Sequence, residues 1–125
     1  MTDAVAEFLE GKDTHASGLL REVRKLALHA GDDISERVSK SLIGWSGKRS
    51  FATAYVKGKY LELSIDLTRK VDHRRLRAAF ATTKTVTTHR FTFGPDHKVD
   101  ARIGALLKES LETVAPGARK SVANS

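Results

Sequence analysis

The chain contains 125 residues with a formal net charge of +7, and it has no cysteine. Without cysteine, disulfides, thiolate zinc sites and cysteine nucleophiles are excluded. No apolar run approaches the roughly 20 residues that a membrane-spanning helix needs, and the N-terminus has no apolar signal segment, so we expect a cytoplasmic protein without a membrane partner. The length predicts a single α+β domain over residues 1–115, followed by a disordered tail over residues 116–125.

The first part of the sequence has the pattern of two helices. Residues 4–10 predict a short helix that ends at Gly11. Asp13 and Thr14 are candidate N-caps of a longer helix that runs to about His29, and apolar side chains recur along this segment at helical spacing.

Two short elements are expected next. Asp33 is followed three residues later by Glu36, a capping-box arrangement that predicts a brief helix burying Ile34 and Val38. Residues 42–45 then have the pattern of a short strand that leads into a hairpin.

The stretch 49–67 predicts an antiparallel hairpin. Its second half alternates between apolar and polar residues, which is typical of a strand with one buried and one solvated face. The segment Lys57-Gly58-Lys59 supplies the turn, because Gly58 can adopt the positive φ that tight hairpin connections need.

Two registers of this hairpin are compatible with the sequence, and they exchange the faces of the strands. A two-residue loop pairs Tyr55 with Tyr60 and places Phe51 on the outer face with them. A three-residue loop pairs Thr53 with Leu61 and buries Phe51. We favour the three-residue loop, because a large aromatic residue is more readily explained as core.

The remaining elements complete the predicted fold. Residues 68–77 are too charged to be core, so we expect a loop with a turn of helix around Leu76 and Phe80. Residues 85–93 are rich in β-branched and aromatic residues and predict the last strand. An apolar stripe between residues 99 and 114 predicts a C-terminal helix. The fold is therefore an antiparallel sheet of about four strands, with the N-terminal and C-terminal helices packed on one face.

Positive charge is concentrated in the sheet region. Residues 37–90 contain thirteen Lys and Arg against three Asp and Glu, which favours an anionic partner such as nucleic acid or another polyanion. The mechanism would be neutralisation of phosphates, and a solubilising charged loop is the alternative. The candidate nucleic-acid-binding residues are Arg69, Lys70, Arg74, Arg75, Arg77, Lys84, Arg90, Lys48, Lys57, Lys59 and Tyr60.

Three aromatic residues are candidates for stacking on bases. Tyr55, Tyr60 and Trp45 would form a platform of the kind that single-strand binders use, if they were exposed beside the arginines. The alternative is core packing together with a cross-strand aromatic pair.

The sequence offers little support for metal binding or catalysis. The five histidines lack metal-ligand spacing, and helix capping explains the densest acidic group, Asp32, Asp33 and Glu36. Glu62 and Asp66 share a strand face and are expected to pair with neighbouring Lys or Arg. No nucleophile, base and oxyanion set is present, so we expect a binding module that is not an enzyme and has no cofactor or metal.

The strand region resembles a known family. The region contains, in this order, Ile43-Gly44-Trp45, Phe51-Ala52, a Lys/Gly turn and the alternating segment 61–67. This order resembles that of a bacterial family of domains of unknown function, numbered five-six-five-five. The similarity covers roughly residues 19–114. In that family a Gly-His-x-Gly element precedes the last strand, and this sequence has Thr87-Thr88-His89-Arg90 there.

The family in turn resembles the YdhG-like superfamily, whose relatives include frataxin-like iron-chaperone proteins. This kinship implies an alternative function, iron handling or protein-partner binding without catalysis. Family members attached to nuclease-like domains point instead to nucleic acid. A homodimer through the open sheet face is a third possibility.

Overall fold

The computed structural model describes residues 3–116. Six antiparallel strands form one sheet in the spatial order β1-β2-β3-β4-β6-β5. The α+β class is therefore confirmed, with six strands where about four were predicted. The predicted C-terminal tail, from residue 117 onward, lies outside the described residues. Along the chain, the elements are α1 (Ala4–Leu9), α2 (Thr14–Leu28), β1 (Ser35–Val38), β2 (Ile43–Ser46), β3 (Ser50–Lys57), β4 (Tyr60–Leu67), β5 (Leu76–Ala81), β6 (Thr87–Phe93) and α3 (Ala101–Thr113).

Each of the three helices begins at an aspartate. The Asp3, Asp13 and Asp100 carboxylates accept hydrogen bonds from backbone N–H groups of the first turn, at 3.0 to 3.1 Å. These bonds satisfy N–H groups that have no partner inside the helix. The two N-terminal helices and the C-terminal helix are confirmed as predicted, and so is Asp13 as the N-cap of α2.

The two strands that the sequence pattern did not reveal are β1 and β5, and they are the two edges of the sheet. The helix predicted after Asp33 is wrong, because the chain forms β1 there and Asp33 has a φ of 54°. The helical turn predicted around Leu76 and Phe80 is also wrong, because these residues belong to β5. An edge strand has one neighbour and buries little side-chain surface, so its alternation of apolar and polar residues is weak.

The hairpin of β3 and β4 has a tighter turn than expected. Lys57 pairs with Tyr60 and Tyr55 pairs with Glu62, so the turn contains only Gly58 and Lys59, and Gly58 has a φ of 60°. The favoured three-residue loop is therefore wrong. Tyr55 and Tyr60 lie on the outer face, as the two-residue alternative predicted, although they do not pair with each other.

A bulge explains why Phe51 is nevertheless buried. Trp45 pairs with Ala52 and Ser46 pairs with Ser50, which leaves Phe51 as the unmatched residue of β3. An extra residue in one strand redirects the neighbouring side chains. Phe51 is fully buried in the core, although strict alternation would place it outside.

The core lies between the helices and one face of the sheet. Its largest fully buried side chains are Trp45, Phe51, Phe91, Phe93, Leu20, Ile43, Leu61, Leu63, Ile65, Leu67, Ile103 and Leu106. Trp45 has no exposed surface, so it cannot belong to a stacking platform, and the alternative of core packing is confirmed for this residue. The opposite face of the sheet, which we call the open face, carries mostly polar side chains.

Candidate functional site

Neighbouring strands bring polar side chains together in the middle of the open face. Tyr55 of β3, Glu62 of β4 and Thr92 of β6 form one row across the sheet. In the next row, Ser64 of β4 pairs with Arg90 of β6. Residues paired across antiparallel strands share a face, so these side chains form a single surface.

A second bulge adds a cation to this surface. In the pairing of β5 with β6, Leu76 lies opposite Phe91 and Ala78 lies opposite Arg90, so Arg77 is the unmatched residue. Arg77 lines the same cavities as Glu62. The bulge therefore places the Arg77 side chain on the open face, where it lines the same cavities as residues of β3, β4 and β6.

Two adjoining cavities occupy this part of the open face. One, of about 260 Å³, is lined by Tyr55, Lys57, Glu62, Arg77, Ala78 and Arg90. The other, of about 470 Å³, is lined by Lys57, Gly58, Tyr60, Glu62, Arg77 and Thr92. They share Lys57, Glu62 and Arg77, so we treat them as one site and call it the open-face groove.

Glu62 is the most buried of the residues that line the groove, and we call its carboxyl group the floor of the groove. The residue is only 9% exposed, and its side-chain Oε1 accepts a hydrogen bond of 2.8 Å from Thr92 Oγ1. On the same strand, Asp66 accepts a bond of 2.8 Å from Thr88 Oγ1. Within residues 3–116 neither carboxylate forms an ion pair. The predicted pairing of these two acids with Lys or Arg is wrong, because hydroxyl groups are their partners.

The cations of the groove have no carboxylate partner in the described part of the chain. Arg90 Nη2 lies 3.4 Å from Tyr55 Oη, a long hydrogen bond across β4. Lys57 and Arg77 make no side-chain hydrogen bond or ion pair with any residue from 3 to 116. Three cationic side chains therefore line the same groove as the buried Glu62 carboxyl group, and the donors of Lys57 and Arg77 are available to a ligand.

Arg69 and Arg75 do not line the groove, and each interacts with another side chain. Arg69 makes two hydrogen bonds of 2.9 Å with the carboxylate of Glu109 in α3, and this contact lowers the pKa of Glu109. Arg75 Nη1 lies 2.8 Å from His97 Nε2. The basic segment 69–77 is thus divided between the helix side of the sheet and the open-face groove.

The other predicted binding residues are placed around the edges of the molecule. Lys48 and Lys59 lie in the β2–β3 and β3–β4 turns, and Lys70, Arg74 and Lys84 are exposed in loops on either side of β5. The structure therefore brings together Lys57, Tyr60, Arg77 and Arg90 of the predicted set. The remaining predicted residues do not line the groove.

Among the open-face residues that were absent from the predicted binding set, Glu62 and Phe80 matter most to the site. Glu62 was recognised only as an outward-facing acid of a strand, and its burial depends on neighbours from three other strands. Phe80, predicted near a helical turn, pairs with Thr88 and is 48% exposed, as is Tyr60. Once β5 is known to be a strand, its alternation places Phe80 on the same face as Ala78.

Two of the residues considered for metal binding, Glu36 and His89, have structural partners. The Glu36 carboxylate receives two hydrogen bonds from Arg24 and one from Trp45 Nε1. His89 is buried, and its Nε2 accepts a bond of 3.0 Å from the Val71 N–H. Within residues 3–116, no three His, Asp or Glu side chains are grouped so that they could hold a metal ion.

The protein is an α+β domain with a six-stranded antiparallel sheet. The open-face groove of this sheet is lined by cationic side chains. A family model described as a domain of unknown function (DUF5655) matches residues 5–114, and the chain belongs to this family. No curated protein and no solved structure matches the chain. None of the helices described between residues 3 and 116 has the length and apolar character that crossing a membrane requires.

Proposed function

We propose that this domain binds nucleic acid in the cytoplasm through the open-face groove, and that it does so without catalysis. The observation that carries the proposal is the grouping of Lys57, Arg77 and Arg90 around one groove with no carboxylate partner in the described residues. Phosphate groups are the common anions that such a cluster attracts, and the interaction weakens as salt rises.

Exposed aromatic rings support a nucleic-acid ligand over a simple anion. Tyr60 lines the groove, and Phe80 of β5 also lies on the open face of the sheet. Within residues 3–116 they are the two large hydrophobic residues that are exposed, each with 48% of its surface accessible. Aromatic rings beside Lys and Arg provide stacking surfaces for unpaired bases.

The alternative of iron handling draws on the resemblance to the YdhG-like superfamily. The densest acidic group, Asp32, Asp33 and Glu36, would supply its ligands, and Glu36 is held by Arg24 and Trp45. Because no contact within residues 3–116 favours iron over nucleic acid, we keep nucleic-acid binding as the proposed function.

A paired-variant titration tests the proposal. The protein is titrated with fluorescently labelled single-stranded and double-stranded DNA and RNA at two salt concentrations. We expect Arg77→Ala/Arg90→Ala to weaken binding at least about tenfold and to reduce the slope of log affinity against log salt by about 2.

The control variant is Arg21→Ala/Lys25→Ala, which removes the same charge from the exposed surface of α2. Circular dichroism confirms that both variants are folded. The proposal is overturned if the unmodified protein binds none of the nucleic acids at low salt, or if the two double variants lose affinity equally.

A further inference from the structure

The charge pattern of the open-face groove is not that of a simple phosphate site. The cations lie around its sides, whereas the floor is the carboxylate of Glu62, which is 9% exposed and forms no ion pair within residues 3–116. A carboxylate at the floor repels phosphate and accepts hydrogen bonds from N–H groups. The groove therefore fits a ligand with N–H donors at one end and a negative charge at the other.

The Glu62 carboxylate is held in place and still has acceptor capacity. Thr92 Oγ1 donates to Oε1 at 2.8 Å, and a carboxylate has about four lone-pair positions. No other hydrogen bond to its side chain is formed by residues 3–116. The carboxylate therefore has lone pairs left for two N–H donors side by side, the arrangement in which it accepts from a guanidinium group.

Guanine matches this requirement better than the other bases. Its Watson–Crick edge presents the N1–H and the N2 amino group next to each other, so both can donate to one carboxylate. Adenine and cytosine present one amino group beside a ring nitrogen that accepts, and uracil presents one N–H between two carbonyl groups. In each of these three bases an acceptor would face the carboxylate.

We propose that the groove recognises an unpaired guanine base, with Glu62 accepting from N1–H and N2–H and the adjacent phosphates lying on Lys57, Arg77 and Arg90. The inference rests on the proposed function and specifies its substrate class. The Watson–Crick edge is accessible only in an unpaired base, so the ligand is single-stranded.

Tyr60 is positioned to support the bound base. A Cβ atom built on Gly94 would lie 3.2 Å from Tyr60 Cε1, so the absence of a side chain at Gly94 leaves room for the tyrosine ring. Tyr60 lines the same cavity as Glu62 and keeps 48% of its surface exposed. Its ring is therefore available for stacking while Glu62 reads the base edge.

The test compares short uridine-rich single-stranded RNAs that differ at one central base, which is guanine, inosine, adenine or uracil. Inosine lacks only the N2 amino group of guanosine. We expect the unmodified protein to bind the guanine RNA about tenfold more tightly than the adenine or uracil RNA, with inosine intermediate. We expect Glu62→Gln to remove the preference for guanine over inosine.

Asp66→Asn is the matched control, because it removes a carboxylate from the same face of β4 outside the groove. It should keep the preference for guanine. Equal affinity for the four RNAs, or a guanine preference that persists in Glu62→Gln, overturns the inference even if binding still depends on Arg77 and Arg90. Absence of RNA binding overturns the proposed function and the inference together. The comparison on the unmodified protein decides the question even if Glu62→Gln fails to fold.

Discussion

Two buried serine hydroxyls illustrate opposite outcomes for polar atoms in this protein. Ser110 of α3 lies with its hydroxyl against the carbonyl oxygens of Phe51 and Asp66, so it joins the helix to strands β3 and β4. The Oγ atom of Ser17 in α2 is buried without a hydrogen-bond partner in the described residues. A satisfied hydroxyl stabilises the folded state, whereas an unsatisfied one costs free energy.

Replacing each serine with alanine should therefore have opposite effects. We expect Ser110→Ala to lower the free energy of unfolding by about 1–3 kcal/mol, because it leaves buried carbonyl groups with fewer partners. Ser17→Ala should leave the stability unchanged or raise it by up to about 1 kcal/mol, since it removes an unpaired polar atom and introduces the best helix former. Urea denaturation measures both values, and an equal loss in the two variants would contradict this interpretation.

At the scale of elements, one carboxylate holds the edge strand β1 in place. Glu36 of β1 receives hydrogen bonds from Arg24 of α2 at 2.7 and 3.0 Å, and from the buried Trp45 Nε1 of β2 at 2.9 Å. The hydrogen bonds with the Glu36 carboxylate raise the pKa of Arg24. Glu36, which suggested a capping box in the sequence, thus links helix α2 with strands β1 and β2.

Removing this carboxylate should loosen β1. We expect Glu36→Ala to lower the free energy of unfolding by about 2 kcal/mol, because the indole N–H of Trp45 loses its partner inside the protein. The intrinsic fluorescence of Trp45, the single tryptophan of the chain, should change in the folded state. The control is Glu22→Ala on the exposed surface of α2. Unchanged stability and fluorescence in Glu36→Ala would show that Glu36 does not anchor the strand.

The two bulges have different consequences for neighbouring elements. The bulge in β3 sends Phe51 into the core, and the bulge in β5 sends Arg77 to the open-face groove. Bulges are known to redirect side chains next to functional sites. One of them therefore serves packing, and the other supplies a cation to the proposed binding site.

At the scale of the whole molecule, the segment between β4 and β5 is attached to the core through His89. The Val71 N–H donates to Nε2 of His89, so Nδ1 carries the proton and lies 3.2 Å from the Thr87 carbonyl. Burial lowers the pKa of His89, and nearby carbonyl groups only partly oppose this shift. Protonation of Nε2 would break the bond to Val71, so the stability of the whole fold depends on pH.

The direction of this dependence follows from the lowered pKa. In the unfolded chain His89 takes up a proton near its ordinary pKa of about 6.5, whereas the folded protein takes it up only at lower pH. The free energy of unfolding should therefore fall as the pH is lowered through about 6.5, by up to about 1.4 kcal/mol per pH unit, until the folded pKa is passed.

We expect His89→Gln to reduce this fall, because glutamine can accept the Val71 N–H without titrating. Chemical denaturation at several pH values measures the slope, with His29→Gln on the exposed end of α2 as the control. The role of His89 would be refuted if both variants kept the slope of the unmodified protein.

The sequence by itself determined the helices and the four strands in the middle of the sheet. Capping aspartates and helical or alternating periodicity involve residues close together in the chain, and each of these elements buries a continuous apolar face. The central strands β2, β3, β4 and β6 could therefore be predicted, as could the aspartate that begins α2. The family resemblance rested on the same strands.

Tertiary structure decided the edges, the register and the composition of the groove. The edge strands β1 and β5 have only one neighbour each, so little apolar periodicity is required of them. Three features depend on contacts between different elements of the chain. They are the register of β3 against β4, the position of Arg77 in the groove, and the pairing of Arg69 with Glu109 away from it. Local patterns contain no information about such pairings, which is why the basic residues could be found in the sequence while their division between two faces could not.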